Sequence, residues 1–263
     1  MLRLLLLACS LLLAACAAPA PRDLAQNIGQ THGFHELLVP GHVCTLYTLV
    51  REGAGKTLTV YIEGDGHAFA SPTTASDNPT PHYPCALHLA IHDPGTHSIC
   101  YLARPGQYLD LTHFPCQARF WTDERFSEDV VQAMDKAVDM LKAHTHSERL
   151  VLVGYSGGGT LAALLAQRRK DVVFLATAAG NLALDCWLRE KDLTAMPGAL
   201  DPLQNADTLS KLPQRHLLGS EDRIIPQSCS LAFCTKAGAR LQIVPGFSHN
   251  DSWQTVWNYD YDQ

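Results

Sequence analysis

Basic residues are scarce in this sequence. Lys and Arg total 20 against 26 Asp and Glu in 263 residues, a formal net charge of −6. No basic stripe interleaved with aromatics occurs, which argues against a nucleic-acid partner. No Cys-x-x-Cys pair occurs either, and the Cys229 to Cys234 interval is not a usual zinc spacing, so the cysteines do not read as a metal site. After Ala15 no apolar run is long enough to cross a bilayer as a helix. Nothing marks an internal repeat, a linker or a second domain, and a chain of this length is ordinary for one α/β domain.

The N-terminus is of a different character. Met1-Leu2-Arg3 is a short basic start, and the apolar run Leu4 to Ala15 is too short for a permanent span but suits a secretory signal. Leu13-Ala14-Ala15-Cys16 resembles the lipobox of bacterial lipoproteins, which implies cleavage before Cys16 and lipidation of that cysteine. A plain signal peptide cut at another small residue is the alternative. Ala17 and Ala18, in place of an acidic residue, resemble the Gram-negative type sent to the outer membrane, facing the periplasm. The expected division is therefore a signal over 1–15, a lipidated cysteine and tether over 16–30, and a single domain over 31–263. The lipid would be the only membrane attachment; one acyl chain holds marginally and several hold stably.

With Cys9 in the signal and Cys16 lipidated, Cys44, Cys85, Cys100, Cys116, Cys186, Cys229 and Cys234 remain, an odd set with at least one free thiol. An oxidising envelope compartment makes disulfides plausible, but spacing does not give their pairing. Cys229 and Cys234 are the best local candidates.

Apolar and polar segments alternate along the chain. Strands are expected at 34–39, 43–50, 57–63, 98–103, 150–153, 172–177, 216–218 and 240–244. Helices are expected at 86–92, 126–144, 160–168, around 182–190, near 228–237, and last at 251–257. The third of these strands follows a Gly-rich turn. Val130, Val131, Met134, Val138 and Leu141 recur at helical spacing behind a capping Ser127. Strands alternating with helices predict an α/β domain with a mostly parallel central sheet of about eight strands, flanked by helices. Two long irregular loops, 71–84 and 104–120, are expected near a site entrance.

One stretch carries the chemistry. Leu150 to Val153 reads as a buried strand, Gly154-Tyr155-Ser156-Gly157-Gly158 as a tight turn, and the Ala/Leu-rich segment after it as a helix. This is the Gly-x-Ser-x-Gly nucleophile elbow, which holds one serine hydroxyl above the sheet edge. A serine hydroxyl needs a base in hydrogen-bond reach and an acid to orient that base. The antiparallel start, the parallel units and the elbow together resemble the α/β-hydrolase fold over nearly the whole domain. In that superfamily the order Ser, Asp, His implies Ser156 as nucleophile, Asp222 in Gly219-Ser220-Glu221-Asp222-Arg223-Ile224-Ile225-Pro226 as acid, and His249 in Phe247-Ser248-His249-Asn250 as base. Glu221 and Asp201 compete for the acid role. His88 and His92 lie four apart, a spacing that could hold a metal, but no third ligand is evident and none is expected. No cofactor is implied.

The resemblance also implies an oxyanion hole. Gly157 N–H is one donor; the second is expected from Glu63-Gly64-Asp65-Gly66-His67, with Asp65 N–H the first choice and Gly66 N–H the second. A carboxylate beside an oxyanion is unfavourable, so the Asp65 side chain is expected to turn away and bond nearby backbone. Tyr61 to Phe69, with Leu102-Ala103-Arg104-Pro105 and Tyr108, is similar to a group of proteobacterial α/β-hydrolase lipoproteins whose substrates are unassigned. That group commonly carries a cysteine at the place of Gly106, bonded to a nearby cysteine; its absence here puts Cys116 in doubt as a disulfide partner. The resemblance implies a serine hydrolase transferring an acyl group to water, a carboxylic ester hydrolase foremost, acting as a monomer on a small acyl substrate. A thioesterase or peptidase would use the same three residues, and a non-catalytic envelope binding module would need none of them.

Overall fold

The computed structural model describes residues 20–261. The signal, Cys16 and the start of the tether lie outside the described residues. From Pro21 the expected tether is instead a helix, α1 (Pro21–Thr31). Proline suits a first helical turn because its missing N–H would have no partner there. Ala25 and Gly29 on α1 are buried.

Eight strands form one sheet in the order β1-β2-β6-β3-β7-β8-β9-β10. β1 (His35–Val39), β2 (Leu46–Arg51) and β6 (Ser98–Leu102) make an antiparallel edge. From β6 onward β3 (Thr57–Ile62), β7 (Arg149–Tyr155), β8 (Val172–Ala178), β9 (Gln214–Gly219) and β10 (Leu241–Val244) run parallel. The parallel strands read as apolar runs because both faces are covered. Leu58, Val60 and Ile62 of β3 and Leu150 and Leu152 of β7 face one core, with α3 (Glu128–His144), α4 (Gly157–Arg168) and α6 (Gln227–Ala237). Tyr61, Val151, Val153 and Tyr155 face the other, with α1, α2 (Cys85–His92), Trp253 and Trp257. Successive residues thus serve opposite layers, as the pleat requires. The expected face of α3 is buried throughout, and the Ser127 hydroxyl accepts from Val130 N–H at its start.

Several expectations are corrected. The last helix does not form; only a 3-10 turn, Trp253–Thr255, is present. The long loop after residue 68 opens with a small hairpin, β4 (Phe69–Ser71) and β5 (Thr74–Ala75), and the loop from 104 contains a 3-10 turn, Ala118–Phe120. Cys229 bonds Cys186 of α5 (Leu184–Glu190) rather than Cys234. Cys229 and Cys234 both lie on α6, where residues five apart are about 8–9 Å apart along and around the helix, too far for a disulfide. Cys116 bonds Cys44, with Cα atoms 5.1 Å apart. Gly106 has φ +82, and a Cβ there would strike Trp121, so this backbone has no room for the cysteine of the similar group. Cys85, Cys100 and Cys234 are free and buried.

Two buried titratable groups give stability a pH dependence. His216 in β9 is 1% exposed, and burial pushes its imidazole from the ordinary 6.5 down to about 3. The unfolded chain takes up this proton before the folded one does, so the stabilising contribution is present above pH 6.5 and lost as pH falls toward 3. Glu63, at the end of β3, is 1% exposed, and burial raises its carboxyl from 4.5 to about 7 despite donors from Gly64 N–H, Tyr101 OH and Ala86 N–H. Its contribution is present below pH 4.5 and lost as pH rises through about 7. The two slopes oppose each other between 4.5 and 6.5, and below 4.5 that of His216 is joined by those of carboxyls held low by their partners, such as Asp171 at about 2. His216→Gln is therefore expected to lose about 3 kcal/mol less unfolding free energy than the wild type between pH 7 and pH 4, measured by urea titration. An unchanged pH slope would refute this.

Candidate active site

Four strand ends build the site. The turns after β3, β7, β9 and β10 all open at the carboxyl edge of the parallel strands, the usual place for a site on such a sheet. β7 ends at Tyr155, and the chain turns at Ser156 into α4. Ser156 takes φ 51, ψ −121, a conformation a non-glycine residue adopts only when its surroundings hold it there. Here they do: Ser156 N–H donates to Ala178 C=O at 3.1 Å, and Ser156 C=O accepts from Gly159 and Asn181 N–H. The turn also needs a bare α-carbon at Gly158, where a Cβ would strike the carbonyls of Ile62 and Glu63.

His249 follows β10 and Asp222 follows the adjacent β9. Ser156 Oγ lies 2.9 Å from His249 Nε2, and His249 Nδ1 lies 2.8 Å from Asp222 Oδ2. The other oxygen, Asp222 Oδ1, accepts from Ile224 and Ile225 N–H at 2.8 and 2.9 Å. The Asp222 side chain is fully buried and that of His249 is 9% exposed. A carboxylate only accepts, so Nδ1 carries the imidazole proton and Nε2 is left to accept from the serine hydroxyl.

The competing acids are elsewhere. Asp201 caps the 3-10 helix Pro202–Leu209 and accepts from Leu184 and Asp185 N–H. Glu221 is exposed. Two residues that sequence reasoning missed flank the histidine: Trp253 Nε1–H donates to the His249 carbonyl at 3.0 Å, and the Tyr155 hydroxyl lies 3.2 Å from that carbonyl and 2.9 Å from Asn250 Oδ1. Tyr155 is the residue immediately before the serine in the motif, the one signal that could have pointed to it.

No family model matches the sequence, and no curated protein matches it. Solved structures do. An esterase of Pyrococcus furiosus superposes with TM-score 0.58 at 13% identity, over 91% of this chain and 91% of its own. An α/β serine hydrolase homologue from Coxiella burnetii gives 0.56 at 16%, over 84% and 92%. A bacterial membrane phospholipase A gives 0.57 at 17%, over 94% and 90%. The chain has the α/β-hydrolase fold.

In this α/β-hydrolase fold the loop after β3 lies against the elbow. A Cβ on Gly64 would stand 3.3 Å from Ser156 Cβ, and one on Gly157 would strike Asp65 Oδ1. Among the described residues no acceptor takes Gly157, Asp65 or Gly66 N–H, so all three donors expected from the sequence are uncommitted. The Asp65 side chain does not bond nearby backbone as expected. It pairs with Arg104 Nη1 at 2.5 Å and Arg125 Nε at 3.0 Å. Burial alone pushes its carboxyl up, but the two guanidiniums outweigh burial and hold it below the ordinary range. Gly66 has φ +64, and a Cβ there would meet Pro79 C=O and Gln107 Nε2.

Two groups among the described residues could hold a metal, and neither includes Ser156. His35, Glu52 and His144 meet on the exposed surface; Cys186, Glu190 and Cys229 form the other, with both thiols already joined as a disulfide. The His88 ring stacks on Tyr83 at 4.4 Å, and His92 Nδ1 lies 2.8 Å from the His88 carbonyl. A cavity of about 420 Å³, lined by Lys56, His97, Arg149 and Tyr259, opens at the starts of β3 and β7, the edge opposite Ser156.

Proposed function

We propose that this protein is a serine hydrolase that cleaves a carboxylic ester by acyl transfer. The observation that supports it most is the unbroken run of hydrogen bonds Asp222–His249–Ser156, ending on a serine held in a strained elbow. His249 Nε2 takes the hydroxyl proton as Ser156 Oγ attacks the ester carbonyl. The N–H groups of Gly157 and Asp65 stabilise the oxygen that becomes negative, a contribution worth roughly 3–4 kcal/mol of barrier per donor in such sites. The imidazolium, held by Asp222, then gives its proton to the leaving alcohol. Water enters, loses a proton to His249 and attacks the acyl-enzyme, and Ser156 recovers its proton when the acid departs.

The histidine is nearly buried while the serine is half-buried, which leaves Oγ as the part of the relay a substrate can reach. A fluorophosphonate probe is expected to label Ser156 alone, and p-nitrophenyl esters of short and long acyl chains are expected to be turned over, with the chain-length profile giving the acyl preference. Absence of both labelling and turnover would favour a non-catalytic binding role on the same fold.

A further inference from the structure

The oxyanion loop is held from below by side chains that the mechanism above does not use. Gln107 is 1% exposed. Its Nε2 donates to Gly64 C=O at 3.0 Å, and its Oε1 accepts from Arg104 N–H at 3.0 Å. No cis peptide occurs among the described residues, so the Gly64 carbonyl and the Asp65 N–H point in opposite directions across one planar bond. Anchoring that carbonyl on Gln107 therefore sets the direction of Asp65 N–H.

Charge is arranged around the same point. The Arg104 side chain is 3% exposed and that of Arg125 is 9% exposed, and both guanidiniums lie over the Phe126 ring, at 5.0 and 5.2 Å. Arg104 Nη2–H donates to Arg125 C=O, and Arg125 Nη1–H donates to Thr122 C=O. Two guanidiniums face the Asp65 carboxylate, and the Glu63 carboxyl, which also acts on Arg104, is pushed up to about 7 by burial and is only partly ionised near neutral pH, so the cluster keeps a net positive charge of less than one unit. It also reaches the elbow: a Cβ on Gly157 would come within 2.7 Å of Arg104 Nη1. An isolated carboxylate at Asp65 would oppose an anionic intermediate; this cluster reverses the sign of the local field. In a water-poor site such fixed charges act far more strongly than in solvent.

We propose that Gln107 and Arg104, with Arg125, are positioning residues of the oxyanion hole: Gln107 aims Asp65 N–H, and the arginine pair converts an adverse carboxylate into a site favourable to negative charge. The inference rests on the acyl-transfer reading.

The test compares Gln107→Met, Arg104→Met and Arg104→Lys with the wild type on one p-nitrophenyl ester and one boronic acid that forms a tetrahedral anion on the serine. Folding is checked by thermal melting. Gln107→Met and Arg104→Met are each expected to lower kcat about 10- to 100-fold, below the ~10²–10³ seen when a donor is removed outright. KM is expected to stay within about threefold, because the planar ester carries no developing charge. Boronate affinity should fall by the same factor as kcat, and Arg104→Lys should recover part of both. A generally loosened site would instead raise KM and spare the ratio of boronate to ester affinity, and that result overturns the proposal, as does an unchanged kcat in the folded variants. Should Arg104→Met fail to fold, Gln107→Met and Arg104→Lys decide by the same criteria. If the wild type itself neither labels with fluorophosphonate nor turns over ester, the acyl-transfer reading has failed; if it does both and the variants match it, only this inference has.

Discussion

Ser156→Ala is expected to lower ester turnover about 10⁴- to 10⁶-fold. The substitution removes one oxygen and little else. The backbone bonds that hold residue 156 in its strained conformation come from its own N–H and C=O and survive the change. Alanine has a Cβ as serine does, so the strain at φ 51 is unaltered and the fold should persist. What is lost is the atom 2.9 Å from His249 Nε2 that would form the acyl-enzyme. The imidazole would remain, able at best to activate a water with no covalent step. Initial rates on p-nitrophenyl esters, with labelling by fluorophosphonate as a second readout, check this. A variant that keeps more than about a tenth of the wild-type rate would remove Ser156 from the chemistry.

Asp222→Asn is expected to cost about 10⁴-fold in kcat near neutral pH, for a reason specific to this turn. Asp222 Oδ1 accepts from two backbone N–H groups, Ile224 and Ile225. An asparagine must keep its carbonyl oxygen there, since its NH2 cannot accept. The NH2 is thereby forced into the place of Oδ2, facing His249 Nδ1 at what is now 2.8 Å. Two donors cannot share that contact, so the ring moves its proton to Nε2, and Nε2 can no longer accept from the Ser156 hydroxyl. The overall fold should be intact, because both N–H bonds of the turn are retained. A kcat within about tenfold of the wild type would mean that the buried acid does not set the tautomer.

The parts of this molecule that were readable in the sequence are those set by neighbours along the chain. The run of apolar residues before Gly154 and the small residues after Ser156 define the elbow, because a strand, a sharp turn and a helix start are each local preferences. Asp222 and His249 were chosen through their position just past late strands, with Glu221 and Asp201 as competitors for the acid role; in the structure Asp201 spends its oxygens on a cap and Glu221 faces solvent. Short segments at the chain end were read less well. Trp253 and Trp257 lie four apart, as on a helix, but their indole N–H groups find the His249 carbonyl and the Tyr261 hydroxyl, and the segment stays a single 3-10 turn. A helix that short has too little intrinsic stability to resist such contacts.

Residue order alone determined that a serine would stand at a strand-to-helix turn in an α/β domain, since backbone preference and hydrophobic pattern act over a few residues at a time. Only the tertiary structure decided that Cys44 meets Cys116, that Cys186 meets Cys229, and that Asp65 is held by Arg104 and Arg125. Those partners are brought together by the packing of loops and helices around the sheet, and contacts between groups distant along the chain leave no periodic trace in the sequence.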